Sequence, residues 1–475
     1  MKLIPTPLKA EFYEGYASQT AKENITINPG LESEEYILSV TSDSVNIESA
    51  SEKGVFYARQ TLKQIAMQSE RLPICKIHDK PRFEYRGFMI DSARHMQEID
   101  EIKKIIDVMS MLKFNIFHWH LTEDQGWRFE SEKYPGLNTK AAVRKYSDFG
   151  TTINNKPYGR VYTKEEMKDI VSFCKDRYID VIPEFDMPGH VSSLLHIFPE
   201  LSCHGNAVEV KTHQGIYNDI LCPAKDKTYE VVENILDEFC EIFPYKYFHI
   251  GGDEAPPKQW EECPECNRLK AEKGLAKWTE YQNYFMNIII DYLSKKGKDT
   301  IVWNDAAKGS NLDKRAILQF WKEGYTKPSV EFANGGGRMI LSPFKNYYMD
   351  YDYKITPFRK TLAFKPRLSG LTDEGYNNVI GVETPIWTEY IWENEKLERF
   401  LFPRVIAVAQ TAWSEKEFGF DSFVDEIEYI TKLISDKGVV FEDTSEWGYS
   451  KYTTALGWLR FVNEHYMPSK TETDY

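Results

Sequence analysis

Asp253 and Glu254 are adjacent carboxylates that follow a short apolar run and two glycines, Tyr247-Phe248-His249-Ile250-Gly251-Gly252. A carboxylate pair in one pocket can act as a catalytic dyad, doing general acid–base work. It can equally be a solvated acidic turn, which is the usual fate of an Asp-Glu pair. Adjacent residues of a strand point to opposite sides, so both carboxylates serve one pocket only if the chain turns between or just before them. The two glycines permit such a turn and a close approach of another group to the backbone, and Pro256 and Pro257 fit it.

The setting favours the dyad. Other short apolar runs in the chain also finish in polar and aromatic residues. At their ends stand Arg94, Glu123, Asp124, His190, Trp303, Trp321, Tyr348, Asp350, Trp387 and Glu389. If those runs are parallel strands of one barrel, all of these residues meet Asp253 and Glu254 on one face. Tryptophans there would wall a pocket, and carboxylates with an arginine would bind hydroxyl groups through paired hydrogen bonds. That is the composition of a sugar-binding pocket. Each residue also has a plainer reading. Arg94 could pair with Asp91, His190 could cap a turn after Pro188-Gly189, and Trp303 and Trp321 could be core. All of them standing on one face together argues for the pocket.

The elements that would position these groups can be read from hydrophobic period and turn chemistry. Residues 1–80 read as a small α+β domain, with strands at 24–27 and 36–40, a helix at 51–67 capped by Ser51, and a connector bracketed by Pro73 and Pro81. From residue 81 to about 440 the pattern is strand, loop, helix, repeated. Strands read at 86–91, 114–121, 180–186, 247–254, 300–305, 316–321, 338–342 and 381–387. Helices read at 98–112, 163–177, 226–243 and 396–411, the second with Thr163 and Glu166 spaced as a capping box. Eight strands alternating with helices, and no glycine loop for phosphate after the first of them, predict an α/β fold of the (β/α)8 barrel type rather than a doubly wound sheet. Long segments at 191–225 and 343–380 read as binding loops or lids. Residues 441–475 read as a C-terminal extension packed on the barrel, in which Trp447 and Tyr449 are either core or a partner contact.

Composition sets the outer limits. The 475 residues carry a formal net charge of −14, which disfavours nucleic acid and anionic membranes as partners. No apolar run is long enough to span a membrane. The seven cysteines are an odd number, which suits free thiols in a reducing compartment. The expectation is a cytoplasmic protein, or a secreted one whose signal segment is absent from this sequence.

Seven runs carry a resemblance. Arg-Gly-Phe-Met-Ile-Asp-Ser-Ala-Arg (86–94), His-Trp-His-Leu-Thr-Glu-Asp-Gln (118–125), Pro-Gly-His (188–190), His-Ile-Gly-Gly-Asp-Glu (249–254), Trp-Asn-Asp (303–305), Tyr-Met-Asp (348–350) and Trp-Thr-Glu (387–389) resemble, in type and order, the family 20 glycoside hydrolases, the β-N-acetylhexosaminidases. The likeness covers roughly residues 1 to 440. It implies substrate-assisted, retaining hydrolysis, in which the sugar's own 2-acetamido oxygen attacks the anomeric carbon to give an oxazolinium, an exception to the two-carboxylate scheme. On that resemblance Glu254 is the acid and later the base, and its surroundings should keep it protonated at the start. Asp253 holds the acetamido N–H and Tyr348 the acetamido oxygen. Arg94, Asp350 and Glu389 bind ring hydroxyls. Trp303, Trp321 and Trp387 enclose the acetamido methyl and the ring, and His190 joins the acid through a chain of hydrogen bonds. The acidic partner of that histidine is commonly the first of an Asp-Asp pair. Here the pair is Glu123-Asp124, so either residue could take the part, and Glu123 is preferred. The implied substrate is a glycan with terminal β-linked GlcNAc or GalNAc, and the implied reaction needs no cofactor. Release of a disaccharide, as in lacto-N-biosidases, and an idle glycan-binding barrel are the rivals. Asp350 and Glu389 argue against the first and the intact Asp253-Glu254 pair against the second.

Cys263-Pro264-Glu265-Cys266 has metal-ligand spacing, and Cys203 and Cys222 lie in the segment 191–225. Four thiolates could hold zinc. With only one spacing that is motif-like, free thiols or an incidental pair are the expectation, and no metal site is assigned.

Overall fold

The computed structural model describes residues 1–150, 152–450, 452–457 and 459. The chain opens with a mixed five-stranded sheet and one helix. β1 (Lys9–Ala17), β2 (Lys22–Ile27), β3 (Tyr36–Val40) and β4 (Ser44–Ser49) precede α1 (Glu52–Met67), and β5 (Leu72–Asp79) follows it. The sheet order is β1-β5-β3-β4-β2. α1 starts where expected, because the Ser51 hydroxyl accepts from the amides of Lys53 and Gly54.

The connector predicted between Pro73 and Pro81 is instead β5, a central strand. Pro73 is tolerated because it is the second residue of the strand and lies where the register with β1 is already broken. β1 escapes a reading by period because it is an edge strand whose residues are nearly all exposed.

Eight parallel strands close the barrel. In chain order they are β6 (Tyr85–Asp91), β7 (Ile116–His120), β12 (Asp180–Glu184), β13 (Tyr247–His249), β14 (Asp299–Trp303), β15 (Ile317–Phe320), β16 (Arg338–Leu341) and β17 (Val379–Ile386). Two small hairpins intervene after β7, namely β8 (Thr122–Glu123) with β9 (Gly126–Trp127), and β10 (Ser147–Phe149) with β11 (Thr152–Asn154). The outer helices include α2 (Ile99–Met111), α3 (Lys164–Lys175), α4 (Ser192–Ile197), α5 (Asp226–Ile242), α6 (Lys258–Glu262), α7 (Pro264–Glu272), α8 (Trp278–Lys295) and α9 (Thr326–Asn334). The Thr163–Glu166 capping box forms.

The strand–helix alternation breaks once. Between β14 and β15 the chain makes only a 3-10 turn at Asn304–Lys308. The helix predicted at 396–411 is two helices, Asn394–Leu401 and Arg404–Trp413. Pro403 parts them, since it has no amide hydrogen to continue the ladder. Segment 343–380 holds three short helices, and segment 191–225 is irregular after α4 and a 3-10 turn at Pro199–Leu201. Trp447 is core, packed edge-on against Phe358 with ring centroids 5.7 Å apart. Residues 460–475 of the expected C-terminal extension lie outside the described residues. Among the described residues no helix is long and apolar enough to cross a membrane.

The barrel interior is layered. One side chain from each strand forms an apolar layer: Tyr85, Ile116, Ile182, Tyr247, Ile301, Ile317, Ile340 and Ile380. Inward residues recur every second position, so the next layer toward the C-terminal ends of the strands contains His118, Glu184, His249, Trp303 and Gln319, and the register shift of β17 beside Ile380 brings Glu383 into it, every one of them buried.

Candidate active site

β13 stops at His249, and the chain turns sharply before the two carboxylates. Gly251 and Gly252 have φ of +67° and +98°, and Glu254 has +45°. No other residue fits the two glycine positions. A Cβ on Gly251 would lie 1.6 Å from Asp186 Oδ1, and one on Gly252 would lie 2.3 Å from the Met286 methyl. The turn is held by the Gln282 amide nitrogen donating to the Gly252 carbonyl at 2.6 Å and by the Trp303 amide donating to the Gly251 carbonyl at 2.9 Å. Asp253 and Glu254 therefore both face His190, whose Nε2 is 3.6 Å from Asp253 Oδ2 and 3.9 Å from Glu254 Oε2.

The other ring nitrogen of His190 meets the second acidic pair. Nδ1 is 2.8 Å from Glu123 Oε1 and 3.4 Å from Asp124 Oδ2. Asp124 is also committed to α4, accepting from the Ser192 amide at 2.9 Å and its hydroxyl at 2.6 Å. Burial alone would lower the His190 basicity, but Glu123 and Asp253 on its two sides raise it well above the ordinary imidazole range.

Glu123 also pairs with Arg94. The Arg94 guanidinium lies 3.4 Å from Asp91 and 3.8 Å from Glu389, and its Nε donates to Gln125 Oε1 at 3.0 Å. It stands over the Trp387 ring, 5.0 Å from the centroid. The ion pair with Asp91 exists, but three acids share this one cation, and Asp91 is saturated by the backbone amides of Ala93, Arg94 and Thr388.

The aromatics form a continuous wall. Trp321 stacks on Tyr348 with centroids 6.1 Å apart and planes 15° apart, Tyr348 meets Trp387 at 6.2 Å, and Trp387 meets Trp303 at 6.0 Å. Two of the indole N–H groups are tethered, Trp303 to Glu184 and Trp321 to Asp305, each at 2.9 Å. Asp350 and Glu389 lie next to each other. Burial first, and then each other's charge, pushes the Asp350 carboxyl well up. Asp350 Oδ1 is buried without a hydrogen-bond partner. Asp253 is raised to about 7, by burial first, with Asp305, Glu254 and Glu184 adding to it against His190. Every residue picked out at the strand ends thus belongs to one face of the barrel.

Several groups there were not anticipated. Lys322, the residue directly after Trp321 at a strand end, has its Nζ 3.5 Å from Glu254 Oε1. Asp186, the last residue of the run read as the third strand, receives the Gly252 amide at 3.3 Å, and burial and Asp253 push it well up. Under the wall, Glu184 contacts His118 at 3.1 Å, His249 at 2.9 Å and also His120, while His118 Nδ1 reaches Glu383 at 3.0 Å. Among the described residues four clusters bring three or more metal-ligating atoms within 4.8 Å of one another. Three consist of site residues already paired as above, and the fourth is the cysteine group.

The family model "Glycosyl hydrolase family 20, catalytic domain" matches residues 83–416, and "Glycosyl hydrolase family 20, domain 2" matches residues 2–80. A β-hexosaminidase of Porphyromonas gingivalis is 34% identical over 406 residues, covering 81% of this chain and 51% of that protein, so the chain spans about half of that relative's length. One of Akkermansia muciniphila is 32% identical over 428 residues, covering 87% of this chain and 86% of its own. Among solved structures, a β-N-acetylhexosaminidase superposes with a TM-score of 0.82 at 30% identity, over 91% of this chain and 95% of that one. The exo-β-N-acetylglucosaminidase of Vibrio harveyi, in complex with N-acetylglucosamine, gives 0.83 at 27% identity, over 94% of this chain and 79% of that one.

Proposed function

Because this chain belongs to glycosyl hydrolase family 20 and is therefore a glycoside hydrolase, we propose that it is a retaining exo-β-N-acetylhexosaminidase. It removes terminal β-linked GlcNAc from glycans by substrate-assisted catalysis, with β-linked GalNAc as a second substrate. The observation that carries the reading is the pair Asp253 and Glu254 turned to one side at His190, beside a wall of Trp303, Trp321, Tyr348 and Trp387.

In this reading the sugar ring lies against the aromatic wall, and Arg94, Asp350 and Glu389 take its hydroxyls. The unpartnered Asp350 Oδ1 supports that role, because a buried acceptor without a donor is costly until a ligand supplies one. Glu254 gives its proton to the leaving glycosidic oxygen as the acetamido oxygen closes on the anomeric carbon. The ionised Glu254 then takes a proton from the water that opens the oxazolinium, so the acid is restored and the configuration retained. Asp253 accepts the acetamido N–H and balances the positive charge on the forming ring. Its carboxyl stands at about 7, and an N–H donor favours its charged form. Tyr348, close enough to Asp253 and Asp350 to feel both charges, donates its hydroxyl to the acetamido oxygen. His190, with Glu123 and Asp124 behind it, holds the two carboxylates in place.

Hydrolysis of p-nitrophenyl β-GlcNAc, β-GalNAc and β-glucose, with and without a thiazoline analogue of the oxazoline, tests this. Cleavage of only the acetamido sugars, blocked by the thiazoline, is expected. Comparable cleavage of β-glucose would sink the substrate-assisted mechanism.

A further inference from the structure

On the outer side of the catalytic turn, four cysteines from two distant stretches converge. Cys203 and Cys222 come from the segment that follows β12 and α4, and Cys263 and Cys266 flank the start of α7. The four sulfurs all lie within 4.8 Å of one another. Cys222 to Cys266 is 3.4 Å and Cys203 to Cys266 is 3.6 Å. Four thiolates bound tetrahedrally at about 2.3 Å from one zinc ion stand about 3.8 Å apart. A disulfide joins two sulfurs at about 2.05 Å and gives no reason for four to gather. Thiols are also poor partners for one another, so packing alone does not draw them together.

We propose that Cys203, Cys222, Cys263 and Cys266 bind one Zn2+ in a closed, structural site. Cys263 and Cys266 supply the Cys-x-x-Cys half. Cys263 stands at the N-cap position of α7 and Cys266 in its first turn, where helix amides favour a thiolate. The surroundings are apolar and shut Cys222, Cys263 and Cys266 off from solvent. The cysteines pack with Ile220, Trp260 and Tyr281, and the Tyr281 hydroxyl is buried with no oxygen or nitrogen partner and faces Cys266. Binding displaces the thiol protons to solvent, leaving four sulfurs as the only ligands and no position open for water, so the ion takes no part in hydrolysis.

The site ties together the two segments that carry the catalytic groups. The Leu221 amide bonds the Pro188 carbonyl at 3.0 Å, two residues before His190, and the Trp260 indole bonds the Leu221 carbonyl at 2.8 Å, just beyond Glu254 and the two prolines. The sequence names these four cysteines but favours free thiols or an incidental pair, because Cys203 and Cys222 have no motif spacing and only the fold brings them to Cys263 and Cys266.

Elemental analysis of the purified, desalted full chain tests the proposal independently of any activity. Equimolar zinc is expected, with no iron. It should be lost to trace in Cys266→Ser and kept in Cys240→Ser, which alters a cysteine outside the cluster. Should Cys266→Ser fail to fold, the unaltered protein still decides. An organomercurial that reacts with thiols should release the zinc stoichiometrically to a chromophoric chelator. Protein grown with Co2+ should show the visible absorption of tetrahedral cobalt thiolate. Zinc-free protein with freely titrating thiols, a disulfide within the cluster, or iron in place of zinc would each overturn the assignment.

Discussion

The two ends of the barrel interior are made from the same eight strands and the same inward alternation, yet they follow opposite chemistry. At the N-terminal end the layer of Tyr85, Ile116, Ile182, Tyr247, Ile301, Ile317, Ile340 and Ile380 asks chiefly for volume, with the Tyr85 hydroxyl alone reaching into the next layer. The next layer toward the C-terminal end holds Glu184 among three histidines, and Glu383 between His118, Tyr85 and Gln319. An apolar layer loses transfer energy and packing when trimmed. A paired polar layer, when broken, leaves a buried charge unmatched, which costs more than the pair itself was worth. The polar end therefore gives up tolerance to substitution in return for holding charged groups in fixed places under the pocket.

The largest effects should come from above the polar layer. Glu254→Gln should cut kcat on natural glycans by about 10²–10⁴, the usual reach of a positioned general acid. Aryl glycosides with good leaving groups should suffer less in the first step, and equal losses for both would count against the acid assignment. Asp253→Ala should cost about 10²–10³ for both kinds of leaving group, since it removes charge stabilisation at the acetamido group. Steady-state kinetics on matched poor and good leaving groups reads both.

The difference between the ends also explains what the sequence could convey. The apolar layer and the strand period are legible because β-branched residues recur at alternate positions, and the strand ends are legible because Trp, Arg and Glu are conspicuous there. The polar layer was not. His118, Glu184, His249 and Glu383 sit inside short runs that read as ordinary strands, and nothing local tells a buried histidine from one facing a helix. Lys322 directly follows Trp321 and Asp186 stands four residues before His190, but their relevance depends on the turn at Gly251 and on the distance to Glu254. The sheet before the barrel was half legible. β3 alternates cleanly, whereas exposed β1 and Pro73 in β5 lack the expected signal.

Stability measurements should separate the layers next. Glu184→Gln keeps the shape but removes one of the two carboxylates that face the buried His118, and should lower unfolding free energy by about 3–5 kcal/mol. Ile182→Ala, its neighbour two residues earlier on the same strand, should cost about 2–5 kcal/mol while kcat and KM stay unchanged below the melting range. Denaturant unfolding beside kinetics makes the contrast. A large kcat loss in Ile182→Ala would erase it.

The smallest and most diagnostic effect is in pH. His118 stands at about 9 against 6.5 for a free imidazole. Burial works against that rise, while Glu383 and Glu184 outweigh it. The folded chain therefore binds more protons than the unfolded chain between those values, and stability falls as pH rises from 6.5 through about 9. Asp253, raised from 3.8 to about 7, acts with the same sign over a lower window, its share present in acid and lost as pH climbs through about 7. Asp253→Asn should flatten the lower window, and Glu383→Gln the upper one, because Glu383 is the stronger of the two groups that raise His118. Ile301→Val has no titrating group to disturb. Its unfolding free energy, followed across pH, should run parallel to that of the parent, displaced by about 0.5–1.5 kcal/mol at every point. A change of slope in the isoleucine variant, or an unchanged slope in Glu383→Gln, would mean that the pH dependence does not reside in the polar layer.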